Sequence, residues 1–178
     1  MTGFYDVGPL GEVAVNLFHG YGYNFYRLEN QLRADDQRVR ALACDLLTQA
    51  KASLDKAESG YRHDHIPPPS RANPFPDPAA VAGAQVLERL ARTIGLIEGQ
   101  VRNQAVPEND RMSQRYRQEA ATLEALADKD KVLIGQAELL RQILAGQSGD
   151  AVLQQIEEIE QGLAAIEATL RERRLILA

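Results

Sequence analysis

The sequence predicts an all-α fold, an elongated bundle of four main helices. Apolar residues recur in alternating steps of three and four over four separate stretches, no run of useful length alternates with period two, and the breaks between the stretches carry Pro, Gly and Asp. The 178 residues suit a single domain. A Pro-rich segment between the first and second helices is read as a long crossover.

The first helix is expected over residues 9–57. Pro9 suits a first turn because its missing N–H costs nothing there. Phe25, Leu28, Leu32, Val39, Leu42 and Leu46 form a seam, and Ala14, Phe18 and Tyr21 continue it backwards. Gly20 and Gly22 do not reset the phase. Each costs only about 1 kcal/mol inside a helix, so one unbroken helix and a break at Gly20–Gly22 fit equally well.

Residues 58–76 read as an extended linker, with Gly60, Pro67, Pro68, Pro69, Pro74 and Pro76. At about 3.1 Å per residue it could retrace the first helix and leave the second parallel to it. The second helix, 77–104, starts at an Asp77 cap followed by Pro78 and carries Leu87, Leu90, Ile94, Ile97 and Val101. The third, 107–145, restarts at Pro107-Glu108-Asn109-Asp110 after a short connection, which predicts an antiparallel neighbour. Tyr116, Leu123, Leu126, Leu133, Ala137, Leu140 and Leu144 are its seam, and Gly146 is its stop. The fourth helix, 150–175, is expected to start at Asp150, with Val152, Ile156, Ile159, Leu163, Ile166 and Leu170 flanked by glutamates. That seam is shorter than a dedicated coiled coil requires. A role as a coiled-coil oligomerisation element would rest on Ile159 and Ile166.

A net charge of −5 and the lack of a basic stripe argue against nucleic-acid binding. Arg171-Glu172-Arg173-Arg174 is read as cations complementing the dipole at a helix end. Cys44, the single cysteine, excludes an internal disulfide and sits among Leu42, Ala43 and Leu46 as a buried structural thiol. No apolar run matches a membrane span, and the chain reads as cytoplasmic.

Aromatic residues crowd the beginning of the chain: Phe4, Tyr5, Phe18, Tyr21, Tyr23, Phe25 and Tyr26. The last five point in several directions around a helix axis. Phe18, His19, Tyr21, Tyr23, Phe25 and Tyr26 are therefore the candidate partner-binding residues, since tyrosine is enriched at interface hot spots. The competing readings are burial of this patch by residues 1–10 and a ligand pocket around His19.

Asp35 and Asp130 occupy seam positions and form a candidate polar layer, which needs either solvent or a basic partner. His63, Asp64 and His65 are weak metal candidates, because alternate residues on an extended chain point the same way. The Glu-x-x-His pairs of a ferritin-like di-iron site are missing: Asn16, Gly60 and Arg62 precede His19, His63 and His65 by three. Gly20-Tyr21-Gly22-Tyr23-Asn24-Phe25 lacks the final glycine and the preceding strand of a dinucleotide fingerprint. No cofactor or catalytic residue is assigned. The functional expectation is a non-catalytic accessory or adaptor subunit, a small subunit or assembly factor that binds a partner protein or a second copy of itself. The alternative is a metal-, cofactor- or small-molecule-binding bundle using His19, Tyr21 and Tyr23, or His63 and His65.

Overall fold

The structure is a computed structural model that describes residues 4, 7–20, 29–71, 74–104 and 119–177. Among them the chain is helical without strands: α1 (Val7–Gly20), α2 (Glu29–His65), α3 (Pro78–Arg102), α4 (Glu119–Leu144), α5 (Gly149–Gln154) and α6 (Ile156–Leu177). The all-α bundle expected from the periodicity is the observed fold. No helix among the described residues is long and apolar enough to cross a membrane.

Helices α2, α3, α4 and α6 form the bundle. Pairings along α2 and α3 run in opposite senses: Arg40 meets Gln104, Cys44 meets Glu98, and Tyr61 lies against Gly83. The two are therefore antiparallel neighbours. The Pro-rich segment joins them as expected, but its length is not spent retracing α2 to give a parallel second helix. Helix α6 returns along α4, with Arg173 beside Asp130 and Thr169 beside Gln136. The C-terminal end of α4 leads to Gly149, which packs against Tyr61 and Ala57 near the end of α2, so α2 and α4 point the same way. Contacts of α2 with α3 and α4, and of α6 with α3 and α4, close a four-helix ring.

The expected seams are the core. Leu87, Leu90, Ile94, Ile97 and Val101 of α3 are all buried, as are Leu126, Leu133, Ala137, Leu140 and Leu144 of α4 and Val152, Ile159, Leu163, Ile166 and Leu170 of the last two helices. Val39, Leu42 and Leu46 of α2 join them, and Cys44 is buried as expected. Side-chain settings for Phe25, Leu28, Leu32, Tyr116 and Leu123 lie outside the described residues. So does the chain between α1 and α2, where the glycine break was in question, and the segment around Pro107.

Three boundaries differ from expectation. Helix α2 does not stop at residue 57 but continues through Gly60 to His65. Its seam continues too, through Leu54, Ala57 and Tyr61, and burying a tyrosine outweighs the roughly 1 kcal/mol that an interior glycine costs. The fourth helix is two pieces, α5 and α6, meeting at Gln155, whose N–H bonds the Val152 carbonyl at 3.1 Å in a tight i to i+3 turn. The cap of α5 is Ser148, whose hydroxyl accepts from the Ala151 N–H, rather than Asp150. Two punctuation marks stand where the sequence put them. Asp77 Oδ1 accepts from the Ala79 N–H at 3.1 Å ahead of Pro78, and Gly146 ends the α4 turn with φ +70°.

Helix α1 packs on α4. Leu10 is fully buried, and its backbone lies so close to Gly135 that any side chain there would strike it. Phe4 reaches further and packs on Gly162 of α6, while its carbonyl accepts a 3.1 Å bond from Gln136 Nε2. Phe4 and α1 are thus held against α4 and α6.

Candidate functional site

Charged and polar side chains from α2, α4 and α6, and from Gln104 just past the end of α3, meet in one buried layer. Asp130 falls on the α4 seam between Leu126 and Leu133, and Arg173 falls on the α6 seam three residues beyond Leu170. Arg173 Nε donates to Asp130 Oδ1 at 2.8 Å, with the arginine fully buried and the aspartate 5% exposed. Arg173 also donates to Gln104 Oε1 at 2.5 Å, and Gln104 Nε2 donates to the Leu170 carbonyl at 3.4 Å. From α2, Arg40 donates to the Gln104 backbone carbonyl at 2.7 Å. That carbonyl lies just past the end of α3, where helix carbonyls lack intrahelical donors and a cation complements the dipole.

The basic partner that Asp130 requires is therefore Arg173, a member of the run that the sequence reading assigned to a helix end. Its neighbours do behave as surface residues: Glu172 pairs with Lys129 at 2.6 Å, Arg171 approaches Glu167, and Arg174 donates to the Leu170 carbonyl at 3.4 Å. The signal that separates Arg173 from them is the three-residue step from Leu170. Asp35, the other predicted member of the layer, has a side chain outside the described residues.

Two further polar groups enter the interior. Gln136 is buried, and its Oε1 stands 3.0 Å from Thr169 Oγ1, which also lies 3.2 Å from the Ala165 carbonyl, so the single hydroxyl proton serves either acceptor. Glu138 is buried beside Arg141, which donates to both of its oxygens at 2.6 Å, and Gln142 donates at 2.7 Å. Burial pushes the Glu138 carboxyl up, but the hydrogen bonds from Arg141 and Gln142 and the arginine's charge outweigh it and hold the carboxyl below its ordinary value. The Cys44 thiol is pushed above its ordinary value, first by burial and then by Glu98, against the opposing pull of Arg102. That suits a packing residue and not a nucleophile.

His63, Asp64 and His65 lie on the last turn of α2 and not on an extended chain. Residues two apart on a helix leave it about 200° apart, so the shared face expected for a metal pair is not formed. His65 Nε2 sits 3.0 Å from Asp150, and its ring lies 4.4 Å from the Tyr61 ring. Among the described residues no group of three or more His, Cys, Asp and Glu side chains is placed to hold a metal ion.

Of the aromatic patch, Phe18 and His19 belong to the last turn of α1, with side chains outside the described residues, and Tyr21, Tyr23, Phe25 and Tyr26 also lie outside them. The fold and the buried layer define an all-α bundle locked by an ionic cluster near one end. No protein-family model matches the chain, and no curated protein and no solved structure matches it.

Proposed function

We propose that the protein is a non-catalytic helical accessory or adaptor subunit, and that the aromatic segment Phe18 to Tyr26 docks a partner protein or a second copy of the chain. The observation that supports this reading is the uneven end of the bundle. Beyond the buried layer, α2 extends from Arg40 back to Glu29 and α4 from Asp130 back to Glu119, in each case about 16 Å at 1.5 Å per residue. Helix α3, by contrast, ends at Arg102, beside the layer, with Asn103 as its cap. Helices α2 and α4 continue past the level where α3 ends, and the aromatic segment enters the chain directly before α2.

Replacing Tyr21 and Tyr23 by alanine tests this. Helicity by circular dichroism is expected to stay near the parent value while self-association, read by light scattering after size exclusion, or co-purification of a partner from the native organism is lost. A large fall in unfolding temperature with association unchanged would assign the aromatic segment to the core instead.

A further inference from the structure

Helix α1 stands outside the four-helix ring, yet α4 and α6 hold a shaped seat for it and for Phe4. Leu10 and Ala14 are fully buried, and Phe4 is 6% exposed. Two glycines make room for this arm. A methyl group at Gly135 of α4 would strike the Leu10 carbonyl at 2.6 Å and its Cβ at 2.7 Å, and one at Gly162 of α6 would strike the Phe4 ring at 2.7 Å. Glycine inside a helix is unfavourable on its own account, and at both positions the nearest atoms belong to the arm. A polar contact fixes the register. Gln136 is 2% exposed, and its Oε1 faces Thr169 Oγ1 at 3.0 Å, which leaves Nε2 to donate to the Phe4 carbonyl at 3.1 Å. The seat thus fits a helix with these knobs at these spacings, and every copy of the chain carries one.

Helix α1 packs chiefly on α4 and not on α2, to which residues 21–28 join it. An arm seated in a second copy keeps every contact that it makes in its own. Exchange therefore neither gains nor loses at the seat, and its balance turns on the connecting segments, which two copies passing arms to each other bring together. New contact there must offset the freedom lost on association. The sequence places Tyr21, Tyr23, Phe25 and Tyr26 in that segment, with Phe18 and His19 just before it, and such side chains are the ones that anchor interfaces.

We propose that two copies of the chain exchange arms, Phe4 and α1 of each lying in the Gly135 and Gly162 seat of the other. This rests on the docking role of the aromatic segment and names its partner as a second copy. Residues 21–28 with their flanking bonds span at most about 30 Å, so the partner's seat lies within that distance of the start of α2. The exchange is reciprocal and closes at a dimer.

Two lesions in full-length chains test this by complementation. The arm variant is Phe4→Ala with Leu10→Asp, and the seat variant is Gly135→Leu with Gly162→Leu. The parent is expected to be a dimer in light scattering after size exclusion. Each variant alone should be a monomer with helicity near the parent's, since the four-helix ring keeps its own seams. Mixed one to one, the variants should recover a dimer, because the sound arm of the seat variant fits the sound seat of the arm variant. Should a double variant lose helicity, Phe4→Ala and Gly162→Ala are mixed instead, and each alone is expected to dissociate at least tenfold more readily than the mixture. A monomeric parent, a mixture that stays monomeric, or a dimer that either double variant forms alone overturns the exchange. Tyr21→Ala with Tyr23→Ala separates this from the docking role. Loss of the parent dimer in that variant, together with failed complementation, removes the exchange and leaves docking by the aromatic segment standing.

Discussion

The two ends of the bundle are closed by opposite means. Near the start of α2 the closing layer is ionic, with Asp130, Arg173, Gln104 and Arg40 exchanging hydrogen bonds across four helices. Near its end the closure is steric: Tyr61 fills the space left by Gly83 and Gly149, with Leu153 alongside. A buried ion pair adds little net stability over apolar packing but penalises every arrangement that separates its members. A tyrosine in a glycine-lined slot stabilises by buried area and permits small adjustments. The ionic end is therefore expected to specify which helix faces which, and the tyrosine end to supply cohesion.

The largest effect is expected at the ionic end. Asp130→Ala removes the carboxylate that Arg173 Nε donates to inside the buried layer and should cost about 3–5 kcal/mol in denaturant unfolding. Replacing both Asp130 and Arg173 by leucine should recover most of that loss. Part of the remainder is the buried Gln104 Oε1, which then lacks the Arg173 donor. If the double variant is as unstable as Asp130→Ala, the layer contributes cohesion and the contrast between the ends fails.

At the tyrosine end the two glycines should not be equivalent. A methyl group at Gly149 meets Tyr61 Cβ at 2.5 Å and the Ala57 carbonyl at 3.0 Å, atoms of the α2 chain that cannot swing away. Gly149→Ala should cost about 1–3 kcal/mol. At Gly83 the first obstacle is the tyrosine hydroxyl, the far end of a side chain, so Gly83→Ala should cost less. Equal costs would mean that the Tyr61 ring is as immobile as backbone.

The ionic closure was partly legible in the sequence, whereas the tyrosine closure was not. Asp130 was visible as a carboxylate on an apolar seam and carried the demand for a basic partner. Arg173 was hidden by its neighbours: in a run of four charged residues the composition suggests a solvated helix end, and only the three-residue step from Leu170 marks it as interior. Tyr61 was lost because Gly60 and the prolines beyond suggested that the helix had already ended. Local propensity there yields to the burial of one aromatic ring. The antiparallel pairing of α2 and α3 was not legible at all, since a connection of this length permits either direction. Asp77-Pro78 and Gly146 could be read directly because capping chemistry is local and needs no partner from elsewhere in the chain.

Between the ends, Glu138 distinguishes an ion pair formed within one helix from the pair sealed between helices. Its carboxyl titrates below its ordinary value in the folded chain, so the unfolded chain takes up the proton first as pH falls. The stabilisation is fully present above the ordinary glutamate range and is lost as pH drops through the lower folded value. Unfolding free energy measured across the acid range should decline, and Glu138→Gln should flatten part of that decline. A variant profile parallel to the parent would show that Arg141 contributes nothing measurable, as is common for pairs three residues apart on one helix.

The smallest effect, of opposite sign, comes from a glycine that packs against nothing. Gly99 lies inside α3, and a methyl group there would find no atom within 4 Å, unlike Gly83 earlier in the same helix. Gly99→Ala removes backbone freedom from the unfolded chain and improves helix propensity without a clash, so it should stabilise by roughly 0.5–1 kcal/mol. The Gly99 carbonyl keeps its bonds from the Asn103 N–H and side chain, which the substitution does not touch. Paired with Gly83→Ala in one denaturation series, it separates two uses of the same residue in one helix. At Gly83 the missing side chain is space occupied by Tyr61, whereas at Gly99 it is only an entropic cost. Destabilisation at both sites would mean that α3 packs more tightly along its length than the open surroundings of Gly99 indicate.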